Sequence, residues 1–308
     1  MKPSLLQRDV VCFGEVLWDI LPDKALPGGA PMNVAYHLKK LGTNPAMITR
    51  IGKDEYGEKL VELLSQNNIS TDYIQVDDNH STGLVYAKLK AQNEMIYDIV
   101  QPAAWDFIQW DDQLNESVKQ SKFFVYGSLT SRDQVSRDTL YKLLDIANAK
   151  VLDINLRPPH FNRSLVEYLL GKADILKLNN AELELITSWY SKFLHAEDRM
   201  KLLQDRFHIE TVVVTLGDEG AMLLENDSVS RHPGYHVQVA DTIGSGDAFL
   251  AGFIHQIIKG AASQQALSFA CGAGALIASK SGGCPQYETS EIHAMMHTYS
   301  KQQSISSI

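Results

Sequence analysis

Hydrophobic positions along this chain follow two rhythms. Continuous apolar runs of strand length fall at 10–13, 46–51, 123–126, 151–154, 175–178 and 211–216. Between them apolar residues recur every three or four positions, as at Val34, Leu38 and Leu41 in the stretch 30–41, and again near 57–66, 133–148, 163–171 and 197–207. Strands that are apolar throughout are buried on both faces, and strands alternating with helical patterns form βαβ units. The expected fold class is α/β, a three-layer α/β/α sandwich around a mostly parallel central sheet. Residues 82–100 depart from the pattern: two β-rich runs flank the polar Gln92-Asn93-Glu94, which reads as an antiparallel hairpin. With the segment around 15–30 this hairpin would build a small β-sheet lid. The chain from Gly244 onward reads as helix-rich, and the tail KQQSISSI, lacking an apolar face, reads as disordered.

Composition narrows the function. With 308 residues, 44% hydrophobic and 21% charged, the chain can bury one large core with a small appendage. A single unit over 1–308, with a lid from about 15–32 and 82–104, is the expectation. The 28 Lys and Arg against 37 Asp and Glu give −9, with no basic run, which argues against nucleic acid or an anionic membrane as partner. Cys12, Cys271 and Cys284 form no CxxC pair, and no 18-residue apolar run exists. A reduced, cytoplasmic setting is expected.

The most specific segment is Asp241-Thr-Ile-Gly244-Ser245-Gly246-Asp247, followed at once by the helical run AFLAGFIHQII. Glycines flanking a serine at a helix start expose successive backbone N–H groups at the positive helix end, an anion cradle. An acid in that first turn would repel phosphate, so Asp247 reads as a base whose target hydroxyl attacks phosphorus held in the cradle; the plainer reading is a turn with a helix-favouring acid. A second cluster, Gly28-Gly29-Ala-Pro-Met-Asn33, allows close backbone approach and offers an amide with both donor and acceptor, while Asp19 upstream can accept from two hydroxyls. Sugars are recognised by such groups. The plainer reading is a β-turn and a surface Asn.

Competing motifs fail on their key residues. Residues 274–281 resemble a P-loop but carry Ser279 at the second glycine and lie in a helical run, and GSGDAF places Phe249 at the third glycine of a dinucleotide fingerprint. HExxH and GxSxG are absent from the sequence.

Taken together, DTIGSGDAFLAGF resembles the C-terminal signature of the PfkB, or ribokinase-like, sugar kinases, usually DTxGAGD, and GGAPMNVAYHLKKLG resembles their N-terminal signature. Asn155-Leu-Arg157 and Lys177-Leu-Asn179-Asn-Ala-Glu182 stand in the order that family requires, and GEVLWDILP with PGGAPMNVA looks most like its fructokinase branch. The resemblance spans about residues 9–298.

It implies a ribokinase-like sandwich with a β-lid and ATP-dependent phosphorylation of a sugar primary hydroxyl, with Mg²⁺. By position, Asp247 would be the catalytic base and Gly244, Ser245 and Gly246 the anion hole, the family usually having Ala at Ser245. Asp19, Gly28, Gly29, Asn33 and Arg157 would contact sugar or the transferring phosphate. Asn179 and Glu182 would organise Mg²⁺ through water. Lys177, Thr215, Gly217 and Gly220 would line the nucleotide phosphates and ribose, and Cys271 and Ser279 the adenine, although Thr215 also reads as a strand residue and Cys271 as a small core side chain. Backbone oxygens near Asp241 and Ile243, with the loop 280–283, are compatible with K⁺. The family also implies a homodimer through the lid. D-fructose is the expected substrate; ribose, a nucleoside or a keto-deoxy sugar acid is the nearer rival, and a non-catalytic sugar-binding protein the more distant one.

Overall fold

The computed structural model describes residues 8–89, 95–192 and 195–306. β1 (Val10–Phe13) enters the middle of the main sheet, and the chain then leaves it for β2 (Leu17–Ile20) and β3 (Ala25–Gly28) before α1 (Ala30–Lys40). β4 (Pro45–Gly52), α2 (Glu55–Gln66) and β5 (Ile74–Asp77) complete one edge, and β6 (Gly83–Leu89) and β7 (Met95–Ile99) return to the smaller sheet. The regular alternation follows: α3 (Asp112–Gln120), β8 (Phe123–Gly127), α4 (Gln134–Leu144), β9 (Ala149–Asp153), α5 (Arg163–Leu170), β10 (Ile175–Asn179), α6 (Asn180–Ser188), α7 (Ala196–Phe207) and β11 (Thr211–Thr215). Next come β12 (Ala221–Glu225), β13 (Ser228–His232), α8 (Ser245–Ile258), α9 (Ser263–Ala278) and α10 (Thr289–Ser306).

The main sheet has nine strands in the order β13-β12-β11-β10-β9-β8-β1-β4-β5. Its pairs are parallel except β11 with β12 and β12 with β13. Because successive strand residues point to opposite faces, Val11 and Phe13 of β1 join one core with α4 to α7, while Val10 and Cys12 join the other with α1, α8 and α9. The α/β reading and the separate small sheet, ordered β3-β2-β6-β7, are thus both realised. The proposed turn at Gln92-Asn93-Glu94 lies outside the described residues.

Two details differ from expectation. The edge hairpin of β12 and β13 is not among the expected elements: β12 carries the short buried run Ala221–Leu224, but β13 is mostly exposed and has none, and the turn between them, Asn226-Asp227, takes positive φ at both residues (49° and 60°), as a tight hairpin turn requires. The tail does not begin as irregular chain either, since α10 runs to Ser306. Helix already nucleated around the fully buried Ile292 adds one hydrogen bond per further residue and needs no apolar face of its own to continue.

Candidate functional site

Parallel strands bring their carboxyl ends to one side, where open α/β sheets hold ligands. Glu15 follows β1 there, Asp153 ends β9, Asn179 ends β10 and Thr215 ends β11, with the first turn of α8 lying over them. A shallow crevice bounded by Lys119, Lys122 and Asn148 sits instead at the amino ends of β8 and β9, away from these groups.

The loop before α8 is tied down by its own side chains. Asp241 accepts from the Ile243 amide (3.0 Å) and the Gly282 amide (3.1 Å), and its backbone N–H and that of Ala240 donate to Ala278. Gly244 caps the helix at φ 76°, and a Cβ there would lie 2.6 Å from Gly283 Cα, so both conformation and space exclude a larger residue. The first intrahelical bond runs from the Ala248 amide to the Gly244 carbonyl, which leaves the amides of Gly246 and Asp247 without intrahelical acceptors, while the Ser245 amide donates to Thr242 O at 3.3 Å. The Ser245 hydroxyl donates to Thr242 O at 3.0 Å and so braces the loop.

Asp247 projects from this turn with Oδ2 accepting from Asn33 Nδ2 at 2.8 Å. Burial, reinforced by the nearby Asp153 carboxylate, raises its pKa from 3.8 to about 6 against the opposing pull of Lys177, Asn33 and Arg157. Lys177, buried, places Nζ 3.0 Å from both Asp153 oxygens. Burial disfavours its charge, but Asp153, Asp247 and Glu182 outweigh that and hold the pKa above the usual lysine value. A Cβ on Gly246 would come within 3.0 Å of this ammonium, so the lysine sits directly beneath the amide cradle.

On the other flank, β2 carries Asp19, whose pKa is raised from 3.8 to about 6 by burial against the lowering effect of Arg157, with Asp241 and Asp247 adding to the rise. Gly28 on the paired strand leaves room for that carboxylate: a Cβ would lie 2.4 Å from Asp19 Oδ2. Gly29, at φ 112°, packs against the Glu15 carbonyl and starts α1, which presents the buried Asn33. Arg157 is exposed, its guanidinium donating to Leu156 O at 3.3 Å, and its charge reaches Glu15, Asp19 and Asp247.

Asn179 and Glu182 form a reciprocal cap of α6: each side chain accepts the other's backbone N–H at 2.9 Å, and Glu182 also accepts from the Leu156 amide at 2.8 Å. Beyond the cradle opens a cavity of about 270 Å³. Thr215, Gly217, Gly220 and Cys271 line it, and Ser245 and Gly246 close one end. The expected adenine contact Ser279 is not among its lining residues; its hydroxyl donates to Leu276 O at 2.7 Å, finishing α9.

Asp153, Glu15 and Cys284 join this constellation without having been singled out from sequence. Asp153 is an acid closing a buried parallel strand just before Asn155-Leu-Arg157, and that position was a readable signal. Glu15, buried and accepting from Thr130 Oγ1 at 2.6 Å, carried none.

The pfkB family carbohydrate kinase description matches residues 8–290. Fructokinase-1 of Zea mays is 30% identical, covering 91% of this chain and 94% of the relative. Among solved structures, the fold is similar to fructokinase with bound ATP from Xylella fastidiosa (TM-score 0.86, 22% identity, 96% of this chain and 100% of that one). It is also similar to fructokinase from Vibrio cholerae O395 in its fructose, ADP and calcium ion bound form (TM-score 0.82, 24% identity, 94% and 99%). With the ordered motifs, the cradle and the buried acid beside it, the match over nearly the whole length leads to one conclusion: this chain belongs to the pfkB family of carbohydrate kinases.

Proposed function

We propose that this protein transfers the γ-phosphoryl group of ATP to the primary hydroxyl of a free sugar, D-fructose giving fructose 6-phosphate. The observation that carries the reading is Asp247, a part-buried acid at the junction between the amide cradle at the end of the cavity and the polar group of Asp19 and Asn33. In this reading residues 1–308 are one catalytic unit with a lid from about 15–32 and 82–104. Asp19 and Asn33 hold sugar hydroxyls, and Asp247 takes the proton from the attacking one. The amides of Gly244, Ser245 and Gly246, with Lys177 and Arg157, meet charge spreading over the phosphoryl oxygens; positioning and electrostatics then supply most of the acceleration, as a loose transition state allows.

Among the described residues no group of three or more His, Cys, Asp or Glu could hold a metal. Glu182 has both oxygens engaged by backbone amides. This donor set suits Mg²⁺ held through water, because that ion sheds water reluctantly, and when bound it neutralises charge between the β- and γ-phosphates. Carbonyls of the loops fixed by Asp241 suit K⁺.

A sugar phosphate as acceptor would want several cations, and the segment 15–35 offers Lys24 alone. Coupled detection of ADP with a panel of sugars tests the reading. Fructose is expected to show kcat/KM at least about ten times that of ribose, since each unpaired buried polar group costs about 1–3 kcal/mol. Asp19→Ala should raise KM for sugar more than for ATP. Better turnover of ribose or a nucleoside overturns the fructose assignment; no turnover of any acceptor overturns the kinase.

A further inference from the structure

α1 is fastened to the loop after α9 along one face. Asn33, Tyr36, His37 and Lys40, at i, i+3, i+4 and i+7, each reach residues 283–286. Tyr36 Oη donates to the Pro285 carbonyl at 2.9 Å. His37 Nε2 lies 2.9 Å from the Gly283 carbonyl, which can only accept, so Nε2 carries the proton and Nδ1 accepts from Tyr287 Oη at 3.1 Å. Burial lowers the His37 pKa to about 4 and keeps this neutral tautomer. Residues 283 and 285 are therefore both pinned to α1, and Cys284 between them has little freedom to move. Its Sγ lies 3.2 Å from Asn33 Oδ1, and Asn33 Nδ2 lies 2.8 Å from Asp247 Oδ2. The amide also lies close over Gly283, where a Cβ would stand 2.8 Å from Nδ2 and 3.1 Å from Oδ1.

We propose that Cys284 is a positioning residue for phosphoryl transfer: its thiol proton, given to Asn33 Oδ1, locks the amide so that Nδ2 faces Asp247 and one carboxylate oxygen is left for the sugar proton. An asparagine amide is nearly symmetric in shape, so only its neighbours decide which end faces the acid. A flipped Asn33 would set Oδ1 against Asp247 and favour the protonated carboxyl, which is not a base. At the 3.2 Å contact only the thiol can donate, because Asn33 Oδ1 carries no proton. The inference rests on the kinase reading for its consequence, and the contact itself can be read without turnover.

The test compares parent, Cys284→Ala and Cys284→Ser. In protein labelled with ¹⁵N-asparagine, the Asn33 side-chain signals, assigned by their loss in Asn33→Ser, should follow Asp247 ionisation in parent and Cys284→Ser and cease to do so in Cys284→Ala. In the coupled assay Cys284→Ala should lose about 3- to 10-fold in kcat with KM for ATP within about twofold, and Ser should restore it. The acid limb of kcat should move up by about half a pH unit in the Ala variant alone. The charges facing Asp247, namely Asp153, Lys177, Arg157, Glu15 and Asp19, are the same in all three proteins. Unaltered amide signals in Cys284→Ala, or equal losses in Ala and Ser, overturn the proposal. A parent chain inactive on every sugar instead overturns the kinase reading, and the amide signals separate the two failures.

Discussion

Replacing Asp247 by Asn should damage activity and improve stability at once. The carboxyl's pKa stands at about 6 against an ordinary 3.8, burial being the main cause. At about 1.36 kcal/mol per unit, ionising it in the folded chain costs roughly 3 kcal/mol more than in the unfolded one. Part of its surface still meets solvent, which screens the interaction, so the neutral isostere should recover about 1–3 kcal/mol. For a chain of this length that is roughly 2–5 °C in Tm. Between pH 4 and 6 the folded state keeps a proton that the unfolded state has lost, so this group's contribution to stability falls as pH rises through that window. The variant's advantage should accordingly be full above about pH 7 and fade below about pH 4.5. Loss of the base should cut kcat by about 10²-fold or more while nucleotide binding survives. Calorimetric scans at pH 7.5 and 4.5, beside steady-state rates, give both readings. A variant no more stable than the parent at pH 7.5 would refute the electrostatic argument, and near-normal turnover would remove Asp247 as the base.

Replacing K⁺ by a large organic cation at constant ionic strength should lower the rate severalfold, because the loops that Asp241 joins through Ile243 and Gly282 also set the cradle; unchanged rates leave Asp241 with the turn alone. Gly244→Ala meets both a positive φ and the Gly283 backbone, so it should lower stability by about 1–3 kcal/mol and kcat by at least about tenfold; denaturant titration and rates at saturating ATP check the pair.

Much of the architecture was legible because periodicity is a local property. The apolar runs at 10–13, 123–126 and 175–178 became central strands, and Asp241, Gly244 and Asp247, spaced three residues apart, occupy one loop and helix turn as that spacing already implied. What stayed hidden rested on polar or non-local signals: β13 is mostly exposed and shows no apolar run, and Ser279 reads the same whether it faces a nucleotide or ends a helix.

The sequence by itself determined the α/β class and that Asp241, Gly244 and Asp247 share one loop and the helix turn after it, because each depends on residues within a turn or a strand of one another. Only the tertiary structure decided what surrounds Asp247. Asn33 is 214 positions from Asp247, and Cys284 is 251 from Asn33. Lys177 reaches Asp153 across two adjacent parallel strands. No local pattern encodes those distances; they follow from strand order and from α1 packing against α8 and the loop after α9, and they set the charge state on which the proposed chemistry depends.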